Sequence, residues 1–255
     1  MEARVLPAGN VTVEKVSSPD GIDLVITGDG SANKIEIYQT SLDNYIVVGK
    51  SLSGATKING VSGRTFRFSL GEISDDIRID MNGGNDQVTV RGSDSSIGDL
   101  DVEGDLRVDL GSGNDVLTLK YLDIYNDLYV DLGTGIDKLD AQWINVDDDA
   151  TVRSPLTDRT LVKQTANFTN FNVGDVFEVD LNYSLAVVNI INARADELNV
   201  YLGSGTDKLS IATTQADAWD VRGGDGYDYY NSYRNLSPIS TNGFESFSRK
   251  SGKFS

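Results

Sequence analysis

A short phrase ending in aspartate returns five times along this chain. IDMNGGND closes at Asp86, VDLGSGND at Asp115, VDLGTGID at Asp137, VYLGSGTD at Asp207 and VRGGDGYD at Asp228. Ahead of each octet runs an alternating apolar pattern, and its middle residue recurs at Ile79, Val108, Val130, Val152, Val179, Val200 and Val221. Successive spacings are 29, 22, 22, 27, 21 and 21 residues, a nearly constant period with insertions expected near 91–104 and 154–172. Repetition at a fixed period of 20 to 50 residues is the mark of a stacked architecture.

Within each unit the apolar residues alternate, as in Leu106, Val108 and Leu110 or Leu128, Val130 and Leu132, which is the period of a strand with one face buried. A second short strand follows each octet, with Val88 and Val90, Leu117 and Leu119, Leu139 and Ala141, and Leu209 and Ile211 expected to point inward. A unit of strand, tight turn, strand and second corner cannot bury its own apolar face, whereas stacked copies share one interior. An antiparallel meander would not require equivalent residues to recur at one period. The expected fold is therefore all-β: a right-handed parallel β-solenoid, or β-helix, of about seven coils of ~22 residues. With coils roughly 4.8 Å apart, seven make a rod roughly 34 Å long before its caps.

Residues 1–70 are expected to form an N-terminal β cap continuous with the solenoid, 71–232 the repeats, and 233–255 a C-terminal cap and tail, all in one structural domain. Ile22, Leu24 and Ile26, the turn TGDGSAN, then Ile35 and Ile37 read as a degenerate unit inside the first cap. At the other end Phe244 and Phe247 are expected to fold over the last coil, ahead of a mobile basic tail carrying Arg249, Lys250 and Lys253.

Composition narrows the function. Thirty-nine acidic against 22 basic residues give a formal charge of −17, which opposes nucleic acid and anionic membranes and favours cations. The chain has no cysteine, so disulfides and thiolate metal sites are excluded. It also has no histidine, which removes His-dependent triads, His-ligated zinc and imidazole acid–base chemistry. No apolar run approaches a membrane span, so membrane insertion is not expected. The chain opens Met1-Glu2-Ala3-Arg4 into polar sequence without a signal peptide, and is read as the mature form of an exported protein.

NGGNDQVTV, GSGNDVLTL and GTGIDKLDA resemble the haemolysin-type, or RTX, calcium-binding β-roll repeat, GGxGxDxUx with U a large apolar residue. In that family calcium lies between successive turns, held by the motif aspartate and by carbonyls of the glycine-rich turns. The resemblance thus nominates Asp86, Asp115, Asp137, Asp207 and Asp228 as calcium ligands. The chain departs from the pattern by carrying one octet per coil instead of back-to-back nonapeptides. It also has Asn82 in place of the first glycine, and lacks the motif in the turns after Val152 and Val179. A closer likeness is to the one-motif-per-coil solenoid segments of secreted bacterial, planctomycete-type surface proteins, carried by GNVTV at 9–13, LVITGD at 24–29 and INGV at 58–61. It extends over about nine tenths of the chain, and such proteins mostly lack an assigned activity.

Electrostatics bears on the same residues. Stacking should bring Asp115 and Asp137 onto adjacent coils, with Asp109 and Asp131 as a second acidic ladder beside them. Two unit charges ~4.8 Å apart repel by about 0.9 kcal/mol at the dielectric of water and about 3.5 at an effective value near 20. Calcium, with its loose shell of oxygen ligands, relieves such a ladder better than magnesium. Asp115 with Asp137 ranks first as a site and Asp207 with Asp228 second, while Asp86 sits across an insertion. The competing view is that the aspartates only cap their turns, with water and salt screening them.

Other constellations are weaker. Asp147, Asp148 and Asp149 near Arg153, with the inserted Asp158, Arg159 and Lys163, could line the groove of a polysaccharide lyase or hydrolase, but nothing fixes a carboxylate pair at a defined separation. The row Thr89, Thr118, Asp140, Ser210 and Asn231 breaks too early for an ice-binding threonine ladder. Trp143, Trp219 and the tyrosines at 227, 229, 230 and 233 could stack on sugars, although Trp219 holds an inward position and the tyrosines could seal the last coil. Asn10, Asn167 and Asn182 match the glycosylation triplet by pattern alone. The expected function is a non-enzymatic, calcium-binding module, secreted or at the cell surface, with a structural, adhesive or matrix role and with polysaccharide or other surface proteins as partners. The alternatives are a carbohydrate-active or carbohydrate-binding β-helix and a metal-free scaffold.

Overall fold

The computed structural model describes residues 9–41, 44–50, 56–93, 98–154, 163–181, 185–235, 241–244 and 246–250. Asp158, Arg159, Asn182 and Lys253 lie outside these. Among the described residues the chain is all-β, with one 23-stranded sheet, mostly parallel, and a two-stranded parallel ribbon at Ser204–Gly205 and Asp225–Gly226. The one helical element among them is a 3-10 turn at Leu70–Glu72.

Register follows the repeat. Ile79 pairs with Val108, Val108 with Val130, Val130 with Val152, Val152 with Val179, Val179 with Val200, and Val200 with Val221, all in parallel. The second strands stack in the same way, Val88 on Leu117, Leu139, Ala166, Val188, Leu209 and Tyr230 in turn. This arrangement is compatible with a β-solenoid. The degenerate unit belongs to the stack as well, because Leu24 pairs with Ile77 and Ile35 with Val88. Among the described residues antiparallel pairing is confined to the N-terminal region, where Asn10–Ser17 meets Ile22–Thr27 and Asn44–Lys50 lies between Lys34–Ser41 and Thr65–Ser69.

The inserted segments are shorter than their sequence bounds. Arg91 still pairs with Lys120 and Leu100 already pairs with Leu122, while Arg153 pairs with Asp131 and Lys163 with Leu185. The extra residues are thus held between Arg91 and Leu100 and between Arg153 and Lys163. A third inward run follows the second strand in successive repeats, Leu122 and Ile124, Ile144 and Val146, then Phe171 and Val173, all buried. Arg249 and Lys250, expected in a tail, lie in Ser246–Lys250, a further strand of the second face that pairs in parallel with Tyr229–Tyr233.

Volume is balanced between neighbouring layers. Phe168 stacks under Ala141, Phe177 under Ala150 and Phe171 over Ala193, so each ring fills space that a small neighbour leaves. The three rings touch, with centroids 4.8 to 5.1 Å apart. Trp219 packs partly against the core and donates its indole N–H to Ala216 O at 2.9 Å. Tyr230 is buried against Phe244 at the C-terminal end, while Tyr227 and Tyr229 stay exposed.

Replacing Phe168 with Ala should leave a cavity that Ala141 cannot fill, at a loss of about 3–5 kcal/mol in urea unfolding. A loss under about 1 kcal/mol would mean the layers collapse freely onto one another.

Candidate functional site

The five motif aspartates share one column. Across the stack the equivalent positions are Asn33, Asp86, Asp115, Asp137, Gln164, Ala186, Asp207 and Asp228, each preceding a residue paired in the second-strand register. Their backbones fit because the turns above them are glycine. A Cβ on Gly113 would lie 1.5 Å from Gly84 O, and one on Gly135 1.5 Å from Gly113 O. Both glycines also hold φ near +140°, at 142° and 134°, where side-chain-bearing residues are strained.

Each aspartate reaches back to the coil before it. Asp86 Oδ1 accepts the N–H of Asn33 at 2.6 Å, Asp115 Oδ1 that of Asp86 at 2.6 Å, and Asp137 Oδ1 that of Asp115 at 2.7 Å. Asp207 Oδ1 accepts from Ala186 N at 2.7 Å and Asp228 Oδ1 from Asp207 N at 2.9 Å. All five are essentially excluded from solvent. The second oxygen, Oδ2, of Asp86, Asp115 and Asp207 is buried without a hydrogen-bond partner. Burial, only partly offset by the accepted N–H, pushes these three carboxyls up to about 7, and the carboxylate of the neighbouring coil adds to the rise.

Asp137 differs. Gln164, fully buried, takes the motif position of the next coil, where its Oε1 accepts Asp137 N–H at 3.2 Å and its Nε2 donates to Asp137 Oδ2 at 2.9 Å. The same Nε2 reaches Gly135 O at 3.1 Å. Burial also raises the Asp137 carboxyl. An amide thus occupies the place a cation would take beside Asp137, and the oxygens open to a cation are those of Asp86, Asp115 and Asp207.

Asp109 and Asp131 do form a row, together with Asp80 and then Arg153. Their task is local: Oδ1 of Asp80, Asp109 and Asp131 accepts the N–H two residues on, from Asn82, Gly111 and Gly133, at 2.9 to 3.0 Å. These bonds launch the octet turn. Arg153 donates Nε to Asp131 Oδ2 at 3.0 Å and lies over the Tyr129 ring, 4.7 Å from its centroid, so a cation of the protein's own interrupts the acidic row between Asp131 and Asp180.

Two features lie beyond the expected set. Asn85 Oδ1 accepts Asn114 N–H at 2.9 Å and Asn114 Oδ1 accepts Ile136 N–H at 2.8 Å, so the Asn of the octet reaches forward while its Asp reaches back. The repeated Asn-Asp pair was the available signal. A second aspartate column runs along the opposite corner. There Asp76 Oδ1 accepts from Asp105 N, Asp105 Oδ1 from Asp127 N, Asp127 Oδ1 from Asp149 N and Asp149 Oδ1 from Val176 N, at 2.9 to 3.1 Å. Its signal is an aspartate immediately before the first apolar residue of four first strands, at Asp76, Asp105, Asp127 and Asp149. Arg107 pairs with Asp105, whose carboxyl is raised by burial but more strongly lowered by Asp127 N–H, Arg107 and Asn126. Among the described residues, oxygens of Asp23, Asp75 and Asp76, and of Asp127, Asp148 and Asp149, converge within 4.8 Å.

Comparison with family models, with curated proteins and with solved structures gives no match for this chain.

The raised carboxyls fix a sign for pH dependence. Folded Asp86, Asp115 and Asp207 hold protons that the unfolded chain, with ordinary carboxyls near 3.9, releases. Their stabilisation is full below about pH 4 and is lost as pH rises toward about 7. In chelator-treated protein the thermal midpoint should fall between pH 5 and pH 8. Asp115→Asn, which keeps the accepting oxygen, should flatten that slope, and an unchanged slope would remove Asp115 from the titrating set.

Proposed function

We propose that the chain is a calcium-binding, right-handed parallel β-solenoid of about seven coils of ~22 residues, secreted or displayed at a cell surface, with a structural, adhesive or matrix role. The observation that carries this reading is the buried, unpartnered Oδ2 on Asp86, Asp115 and Asp207. A buried carboxylate oxygen must find a proton, a donor or a cation. Asp137 has found a donor in Gln164, and the other three have not.

A hard cation suits what remains. Beside Asp137 the Gln164 amide meets a carboxylate oxygen and the Gly135 carbonyl at one point, and in coils without the glutamine the same groups would give an all-oxygen set of the kind calcium takes. Calcium bound there neutralises two carboxylates of neighbouring coils and ties their turns together. The pair Asp86 with Asp115 becomes the favoured site and Asp207 with Asp228 the second, with Asp115 and Asp137 moving behind them because of Gln164. The proton is the rival occupant, and a scaffold whose motif carboxyls simply stay protonated would need no metal.

A thermal scan of chelator-treated protein at pH 8, with and without calcium and with magnesium as control, separates the two. At about 100 times the dissociation constant, calcium should raise the midpoint by about 5–10 °C. Asp115→Asn should remove a large part of that rise, and Asp137→Asn a small part. An unmoved midpoint in calcium would leave the protonated scaffold as the function of the octet.

A further inference from the structure

One residue per repeat, at the bend between the second and third inward runs, holds a left-handed backbone. Asn170 and Asn192 have φ of 53° and 54° there, and Asn tolerates that conformation. The coils above carry Tyr121 at 55° and Trp143 at 59°, and those below carry Thr213 at 52° and Arg234 at 53°, all side chains for which this backbone is more costly than for asparagine. Burial does not offset that strain, because Trp143 is 52% exposed. The two rings stack on each other, 6.3 Å between centroids and 13° between planes. A strained, solvent-facing aromatic platform stands where asparagine would be cheaper.

Beside the platform lies a polar ladder. Asn145 Nδ2 donates to Asp123 Oδ1 at 2.7 Å and Asn172 Nδ2 to Asn145 Oδ1 at 2.9 Å, both bonds at the surface, with Arg194 next in register. An amide has two N–H groups and two lone pairs, so Asn145, in the middle of the ladder, still offers one donor and one acceptor outward. The ladder floors an open groove of about 620 Å³, bounded by Asp147 and by Tyr125, itself 47% exposed. Tyr121 and Tyr125 flank Leu122–Ile124 with a separation of up to about 13 Å, which leaves room for more than one sugar ring.

We propose that this face, from the Tyr121–Trp143 stack across the Asp123–Asn145–Asn172 ladder to Tyr125, binds a neutral polysaccharide. Aromatic faces take the apolar faces of sugar rings, and an amide ladder matches hydroxyls that both donate and accept. The sign of the charge selects against acidic glycans: Asp123, Asp147 and Asp196 surround the groove against one Arg194, on a chain of net charge −17. This site is separate from the octet column and does not depend on calcium there.

The full chain should be run in native gels cast with soluble xylan, glucomannan, hydroxyethylcellulose or dextran, with alginate as the acidic control, in chelator and in calcium. At least one neutral polymer should retard it under both conditions, and alginate should not. Trp143→Asn, which installs the residue the same bend carries at Asn170 and Asn192, should melt no lower than the parent and bind about tenfold more weakly or worse. Asn172→Ala should weaken binding without lowering the melting midpoint by more than about 2 °C. Retardation by none of the four neutral polymers, retardation by alginate alone, or undiminished binding by Trp143→Asn would each overturn the proposal.

Discussion

The stack depends on a carboxylate that reaches out of its own coil. Asp115 accepts the buried N–H of Asp86 at 2.6 Å, and the same bond recurs at every octet. An amide buried at a tight corner must be paired, and the turn offers no strand partner at that point. The bond works only if successive turns lie close, which is why a Cβ on Gly113 or Gly135 would fall on a carbonyl oxygen. Glycine spacing and aspartate position are therefore two halves of one device. The same burial that makes the bond useful leaves the second oxygen of Asp86, Asp115 and Asp207 in want of a partner, and so links the fold to pH and to cations.

Most of the frame was legible in the sequence. The alternation around Val108, Val130 and Val152 predicts strands, and the constant spacing predicts parallel pairing of those same residues, which is the register found. The third inward run was missed because it holds only two apolar residues, Ile144 and Val146 for instance, directly continuous with the second strand. The motif aspartates could be placed on adjacent coils, but which atom each one touches could not. That Gln164 stands in for an aspartate is invisible without register, since no glycine turn precedes it and nothing around it looks like the octet. The second aspartate column went unseen because single acidic residues before a strand are ordinary at solvated corners, and only their repetition at Asp76, Asp105, Asp127 and Asp149 marks them.

The exposed faces follow a different logic from the columns. On the second-strand face, Thr89, Thr118, Asp140, Asn167, Asn189 and Ser210 form one outward row, too varied in chemistry to present a single repeated group. On the third-run face, as between Asn189 and Asn167 of that row, neighbouring residues are alike enough to bond one another, Asn172 to Asn145 and Asn145 to Asp123. Parallel stacking brings identical amides to the spacing at which they pair, so an asparagine row stabilises the stack while still presenting hydrogen-bonding groups to solvent.

The two aspartate columns also differ in direction, and the difference specifies the stack. Octet side chains reach toward the earlier coil, as Asp115 does to Asp86, whereas the corner side chains reach toward the later one, as Asp105 does to Asp127. Within the octet the asparagines repeat the opposition, Asn85 accepting from Asn114. Shifting one coil by a single residue would exchange its inward and outward faces and would also leave buried N–H groups and carboxylates unpaired in both columns at once. Alternation forbids that slip but does not forbid a slip of two residues, since the hydrophobic pattern returns after every second residue. A two-residue slip, which alternation alone would tolerate, is therefore resisted by the aspartates: they recur once per coil, and no other position supplies the same bond.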